Sequence, residues 1–512
     1  MKAVMNQNYL FNFSFLLFLL IILSSPDIKP QDPMVQFDGI PLVIYPEKPT
    51  ELFTHENFAQ MESLGVFGVV TADVFDNSSW LSTFEEHHLK VLPQYWDGDT
   101  TSGQHLIERY TNSHYTVWEA EGTNPANGKV ALSYDTIYTS PFTEINGQDI
   151  IKGRYAVGTS VPNNDTIIFG PGYPQNVIYN APEDNRKVSY TVEYRMKISL
   201  NDPNITPDPD AIVCTIQVTN LKNEGKDEVL VTEKDIQVSD FGGLNIWKTI
   251  TADEYEFSAS TSEEVWRMMG IKLLPKAVAE CVQFKVIWRG LTYLNFYIDK
   301  ITVSDYKGRQ LIHTSGPRLS ISNLIQTNIS NHTIAGWYGT DEPISIDNYE
   351  PFRVVDSVIA AVSVENNFPI RLHAGLTGGA SGTYSPWVNV IHKFALDKYQ
   401  EEEFWLRAHP KNIQINCYNY YYPFKPGDPE HPNYVEDDID YVTNTYLDRI
   451  NDYDTSFSFS LQTGAWYRYD DNCNLTETFL IYPSPAQMNY NTNLALLYGA
   501  RELRCDPFFF KL

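Results

Sequence analysis

The chain has 512 residues, 43% of them hydrophobic and 14% aromatic, with a formal net charge of −27 at pH 7 and a pI near 4.7. That length exceeds one ordinary domain and predicts two or three, each with its own core. So acidic a balance excludes nucleic acid and anionic membrane surfaces as partners, since both need a basic footprint, while 33 Tyr and 10 Trp suit either strand-rich structure or surfaces that stack on sugar rings.

At the N-terminus, Lys2 precedes an apolar run from Leu10 to Leu23 that is broken only by Asn12 and Ser14 and ends at Ser24-Ser25-Pro26. Residues 1–25 therefore read as an export signal peptide. The run, about 14 residues, falls short of the about 20 that cross a bilayer, so no membrane span is expected once it is removed. The mature chain is expected to be secreted, periplasmic or at the cell surface; a retained N-terminal anchor is the competing reading. Five widely spaced cysteines exclude zinc-type spacing and a dense disulfide framework. One bridge, Cys214 to Cys281, fits within a single domain, and the remaining thiols read as small buried hydrophobes.

From about Gly39 to Ser113 strand and helix alternate. Leu42–Tyr45 is a strand, Thr54–Leu64 a helix capped by Thr54, Val66–Val70 a strand, Trp80–His88 a helix and Val91–Trp96 a third strand. Helix signals then nearly vanish up to Ile312. Runs at Val188–Ser199, Ala211–Thr219, Glu228–Val238, Gln283–Trp288 and Leu294–Val303, divided by Asn-, Asp-, Pro- and Gly-rich turns, predict an antiparallel sandwich of about 200 residues. The βα rhythm returns with a helix at Leu319–Ile329, a strand at Thr333–Tyr338, a helix at Tyr349–Val364, a strand at Ile370–His373 and a helical stretch at Asp397–Ala408. Strands at Ile413–Tyr418, Ser456–Leu461 and Glu502–Cys505 complete it.

Three strands before the sandwich and five after make eight, the number that closes a (β/α)8 TIM barrel. The expected fold class is thus α/β, a TIM barrel with an inserted all-β jelly-roll sandwich. Its parts would be residues 26–113 (strands 1–3), 114–314 (the insertion) and 315–512 (strands 4–8).

The stretch Ile334-Ala-Gly-Trp-Tyr-Gly-Thr-Asp-Glu-Pro343 carries the sharpest signal. A short apolar run stopped by proline reads as a buried parallel strand that opens into a loop at Asp341 and Glu342. It resembles the acid/base strand of the clan of retaining TIM-barrel glycoside hydrolases that carries Asn-Glu-Pro there, and is most similar to secreted bacterial relatives with Asp-Glu-Pro. Phe459-Ser-Leu-Gln-Thr-Gly464, Pro483-Ser-Pro-Ala-Gln-Met488 and Leu494-Ala-Leu-Leu-Tyr-Gly-Ala500 are similar to the seventh strand, loop and last helix of those barrels. The insertion, from Tyr115-Thr-Val-Trp-Glu-Ala-Glu-Gly122 to the strand Leu294–Val303, resembles the galactose-binding-like jelly rolls of carbohydrate-binding modules. Such modules often hold calcium, but no run of alternating acids specifies a site here.

The resemblance implies a glycan substrate and no cofactor or metal, with Glu342 as general acid/base and Asp341 raising its pKa as a nearby like charge. Where the related enzymes end their seventh strand with a nucleophilic Glu, this chain has Gln462, which can neither attack nor take a proton. Glu47, Asp73, Asp76, Asp97 and Asp99 follow the first three strands and stand as substitutes, though each reads more readily as a loop or capping residue. Tyr45, Tyr95, Trp96, Tyr338, His373, Tyr418, Tyr420, Gln462 and Trp466, at or just past the strand ends, are the expected sugar contacts. No Gly-x-Ser-x-Gly elbow, His-Glu-x-x-His helix or lysine-bearing phosphate loop occurs. A glycosidase is the expected function; the alternative is a carbohydrate-binding protein on a glycosidase barrel that has lost catalysis.

Overall fold

The computed structural model describes residues 42–44, 54–71, 78–93, 106–111, 113–119, 131–132, 154–157, 164–170, 178, 187–223, 225–258, 280–328, 333–338, 349–365, 371–376, 412–417, 456–462, 467–469, 475–478 and 499–506, with 485, 489, 492–493 and 496–497. The first elements are β1 (Leu42–Ile44), α1 (His55–Ser63), β2 (Val66–Thr71), α2 (Ser78–Glu86), β3 (Lys90–Pro93) and α3 (Leu106–Thr111). Thr54 caps α1 by accepting the Asn57 N–H at 3.2 Å, and Gly65 turns the chain out of it at φ 72°, a conformation only glycine adopts freely. Phe58 and Met61 of α1 and Phe84 of α2 pack on Val66, Val69 and Val91, which fixes the helix side of the sheet. Val70 and Leu92 pack together on the opposite side.

Among the described residues eleven antiparallel strands follow: β4 (Tyr115–Glu119), β5 (Ala131–Leu132), β6 (Arg154–Val157), β7 (Thr166–Gly170), β8 (Lys187–Leu200), β9 (Ile212–Lys222), β10 (Asp227–Gln237), β11 (Lys248–Thr251), β12 (Tyr255–Ser258), β13 (Cys281–Trp288) and β14 (Leu294–Asp305). They form a four-stranded sheet, β10-β9-β13-β7, and a seven-stranded one, β11-β8-β14-β6-β5 with β12 on β8 and β4 on β14. Residues of both sheets, among them Tyr194, Met196, Val213, Phe284, Trp288 and Phe296, share one buried core. Long strands make this possible: alternate side chains of β8 and of the first half of β14 enter the core, while β9 and β13 are buried at nearly every position. Cys214 and Cys281 lie buried on neighbouring strands, but Cys214 pairs with Trp288 and Cys281 with Leu221, so the bridge considered from the sequence does not form. Burial pushes the Cys214 thiol far above its ordinary range and keeps it unreactive.

The chain leaves the sandwich through α4 (Tyr306–His313) and α5 (Ser315–Asn328), then builds β15 (Gly336–Tyr338), α6 (Tyr349–Glu365), β16 (Arg371–Leu376), β17 (Asn412–Cys417), β18 (Ser456–Gln462), the hairpin strands β19 (Tyr467–Tyr469) and β20 (Leu475–Thr478), and β21 (Glu502–Asp506). The helix expected at Leu319–Ile329 is the second of a pair. At the exit, buried Asp305 caps α4 by accepting the Gly308 N–H at 2.6 Å, while its own N–H donates to the His114 carbonyl at 3.0 Å. The Tyr190 hydroxyl lies 3.1 Å from His114 Nδ1. A Cβ on Gly308 would stand 2.2 Å from the His114 carbonyl oxygen, so the closeness of α4 to the start of β4 requires glycine there.

The eight parallel strands lie in one sheet, ordered β15-β16-β17-β18-β21-β1-β2-β3. This corrects the expectation of a (β/α)8 TIM barrel. The sheet's edge strands, β3 and β15, share no ladder among the described residues; they touch at a single parallel bridge between Val91 and Ile334, where the Val91 N–H donates to the Thr333 carbonyl at 2.8 Å and the Val91 carbonyl accepts from the Ala335 N–H at 2.9 Å. Pro93 ends β3 with no N–H to give, and β15 has only 3 residues, so pairing does not run beyond that bridge. Most described strands belong to antiparallel sheets, and the described α-helices are six. The molecule is a β-rich assembly of an unclosed parallel sheet and an antiparallel sandwich. No helix among the described residues is long and apolar enough to cross a membrane.

Candidate functional site

Two surfaces bring chemistry-bearing residues together. The first is the carboxyl edge of the parallel sheet, where ligands bind in open α/β structures because strand ends release the chain into loops at one side. Tyr338 ends β15 and sits in register with His373 of β16; Gln462 ends β18 and sits in register with Asp506, the last residue of β21. His373 does not end its strand as expected, for β16 continues to Leu376. Asp341, Glu342, Tyr45, Tyr95, Trp96, Tyr418, Tyr420 and Trp466 lie outside the described residues, as do Glu47, Asp73, Asp76, Asp97 and Asp99. Trp337 is buried at 2% exposure and belongs to the core formed with α5 and α6.

The second surface is the outer face of the seven-stranded sheet. On β8, Tyr194, Met196 and Ile198 enter the core, which leaves Arg195 and Lys197 on the other face. On β14, Leu294, Phe296 and Ile298 enter the core and leave Asn295 and Tyr297 outside, with Asn295 opposite Ser199 and Tyr297 opposite Lys197. A register irregularity between Ile298 and Lys300 turns Asp299 toward Arg195, and its Oδ2 lies 2.8 Å from Arg195 Nε. Trp247, just before β11, completes the patch because β11 pairs with β8.

The Lys197 Nζ stands 4.5 Å from the Trp247 ring centroid and 4.7 Å from that of Tyr297, and the Arg195 guanidinium 5.9 Å from Trp247. Each such contact is worth about 0.5–1 kcal/mol at a half-exposed site, so the ammonium favours this placement of both rings. The Tyr297 hydroxyl lies 3.1 Å from Ser199 Oγ, which accepts from Asn295 Nδ2 at 3.4 Å. Two aromatic rings ringed by hydroxyl, amide and charged donors form a surface able to stack on an apolar C–H face and hydrogen-bond hydroxyls around it.

The sequence reading missed this patch. Its signal was the alternation Tyr194-x-Met196-x-Ile198 against Arg195-x-Lys197-x-Ser199, which assigns faces without coordinates. Trp247 gave no such signal, since it sits between the runs read as strands.

Elsewhere, His55 Nδ1 of α1 lies 3.2 Å from Nε2 of His87, just past α2, and Glu62 Oε2 of α1 lies 3.4 Å from His87 Nδ1. Among the described residues no group of three His, Cys, Asp or Glu side chains could hold a metal ion.

No family model matches the sequence, and no curated protein is similar to it. Among solved structures, pyruvate kinase from Cryptosporidium parvum is similar at 8% identity and a TM-score of 0.27, over 91% of this chain and 65% of that one. The CBM22-1 xylan-binding domain of Paenibacillus barcinonensis Xyn10C is similar at 7% identity and a TM-score of 0.17, over 37% of this chain and 92% of that one. The CBM22-1–GH10 modules of Clostridium thermocellum endo-1,4-beta-D-xylanase 10B are similar at 10% identity and a TM-score of 0.18, over 77% of this chain and 86% of that one. Two of these three are carbohydrate-active modules. Scores this low fall short of a shared fold, so what the chain does rests on its own residues.

Proposed function

We propose that this protein is an exported glycan-acting protein that holds a saccharide on the outer face of its sandwich and cleaves it with Glu342 as general acid/base. The observation that carries the reading is the Trp247–Lys197–Tyr297 arrangement, in which one ammonium lies over two half-exposed rings. On a chain with a net charge of −27, an aromatic patch built around cations is a local departure from the surface as a whole. Its mixture of ring faces and short polar groups suits a sugar, which presents both an apolar face and a rim of hydroxyls. Cleavage then needs a carboxyl group to protonate the leaving oxygen, and Glu342, in the Asp-Glu-Pro that follows β15 in sequence, takes that role.

A second reading, a carbohydrate-binding protein without catalysis, is favoured by one residue: Gln462 ends β18 where a nucleophilic carboxylate is needed. One experiment separates the two. The full-length protein is incubated with soluble xylan, mixed-linkage β-glucan, mannan and pectic galactan, with new reducing ends and binding both measured. A hydrolase releases reducing ends, and Glu342→Gln lowers kcat by roughly 10²–10⁴-fold with affinity retained. Binding without turnover by the wild type leaves the second reading, and neither binding nor turnover removes both.

A further inference from the structure

Lys197 ties the charge of the sandwich face to its rings. Its Nζ stands 4.5 Å from the Trp247 centroid and 4.7 Å from that of Tyr297, so a ligand that covers both rings covers the ammonium as well. All three side chains are half-buried and keep part of their surface in water until a ligand arrives. Covering the ammonium strips water from a charge, which costs free energy unless the ligand replaces the lost hydrogen bonds. A neutral hydroxyl replaces them in part. A carboxylate replaces them with charge-assisted bonds that are roughly twice as strong.

The neighbouring charges favour the same class of ligand. Arg195 shares the outer face of β8, with its guanidinium 5.9 Å from Trp247, and Lys300 of β14 pairs with it in register. The Asp299 carboxylate lies 2.8 Å from Arg195 Nε and its side chain is 5% exposed, so it is bound into the face rather than presented to a ligand. Glu193, the other carboxylate on this side of β8, is four residues from Lys197, roughly 13 Å along the strand. The net charge of −27 repels an acidic polymer at long range. At 0.15 M salt, however, the Debye length is about 8 Å, so distant charges are screened while a carboxylate in contact with the ammonium is not.

Resting on the saccharide binding proposed above, we infer that the occupant of this face is an acidic glycan whose sugar rings carry carboxylates, a polymer of uronic acid, and that Lys197 selects it. In a uronic acid the carboxyl group is attached directly to the ring. A ring that lies across Trp247 and Tyr297 therefore brings its carboxylate to the ammonium with no flexible arm to order. The aromatic rings recognise the C–H face, which all pyranoses share, and Lys197 separates charged from uncharged sugars.

The test is isothermal titration of the full-length protein at pH 7 and 0.15 M salt with polygalacturonate, its methyl ester, dextran sulfate and the four neutral polysaccharides. The wild type is expected to bind polygalacturonate at least tenfold more tightly than the ester, which keeps the same ring and loses only the charge. Lys197→Met keeps the apolar stem and is expected to abolish that difference, and Lys197→Arg to preserve it. Dextran sulfate, rich in charge but without carboxylates on its rings, is expected to bind less tightly than polygalacturonate. Equal wild-type affinity for polygalacturonate and its ester, or binding of the neutral polysaccharides alone, overturns the inference and leaves saccharide binding standing; because this comparison needs no variant, a Lys197 substitution that fails to fold cannot shield it. Tighter binding of dextran sulfate, unmoved by Trp247→Ala, also overturns it, as attraction of any polyanion. No binding of any of these glycans removes the saccharide-binding proposal itself.

Discussion

The sandwich face and the parallel-sheet edge are built in opposite ways. Strands β8, β9 and β14 run for 14, 11 and 12 residues, so a single strand supplies several core residues and several face residues at once, and Arg195, Lys197 and Ser199 are positioned by the same alternation that buries Tyr194, Met196 and Ile198. The edge of the parallel sheet draws one residue from each of several short strands: Tyr338, Gln462 and Asp506 come from strands of 3, 7 and 5 residues that lie far apart in sequence. Alternation positions each strand's share of the face locally, and the pairing of β8 with β14 and β11 brings the shares together. A rim made by strand ends depends on the whole sheet being in register.

The largest effect is expected where the two constructions join. In Gly308→Ala the new Cβ meets the His114 carbonyl oxygen at 2.2 Å, and backbone atoms on both sides leave no flexible group to yield. Either α4 withdraws from β4 or the Asp305 cap is lost, at a cost of about 3 kcal/mol. Thermal unfolding followed by circular dichroism should show a clear fall in Tm. If the sandwich is the more self-sufficient part, the strand signal should outlast the helical one on heating. A single unchanged transition would break the comparison by showing the junction to be unimportant.

A smaller and more selective effect is expected at Trp247. Trp247→Ala removes one ring of the pair around Lys197 while leaving the core residues Tyr194, Met196 and Phe296 in place. Glycan affinity should fall roughly tenfold, about 1.4 kcal/mol, with Tm nearly unchanged. Isothermal titration with the bound polysaccharide checks it, and unaltered affinity would move the binding surface to the sheet edge.

How far each region was legible in the sequence follows from the same contrast. The strands at Val188–Ser199 and Leu294–Val303 were found because period-two alternation is written in consecutive residues, and β8 and β14 coincide with them closely. The eight parallel strands were also found, since short apolar runs between helices signal βα units. What the count of eight did not carry was closure, which is decided by pairing between β3 and β15, residues some 240 positions apart whose contact is one bridge. The end of β21 is a related case: the apolar run stops at Cys505, and pairing with Gln462 of β18 carries the strand one residue further, to Asp506. The Asp305 cap with its His114 contact was equally invisible, because it joins residues 191 apart.

The finest test of the junction is electrostatic. Asp305 is fully buried, and burial raises its pKa above the ordinary carboxylate value, opposed by the Gly308 N–H and by His114. A carboxyl whose folded pKa is raised binds its proton more tightly in the folded chain. Its favourable contribution is therefore complete below the unfolded pKa and is lost as pH rises through the folded one, so that at neutral pH the buried charge is a cost. Asp305→Asn keeps an oxygen to accept the Gly308 N–H and removes that cost. Tm at pH 7 should rise slightly over the wild type, and the gain should shrink as pH falls toward the ordinary carboxylate range. A variant that is less stable at pH 7 would mean that the ionised carboxylate, held by His114 and the helix N-terminus, is what binds the sandwich to α4.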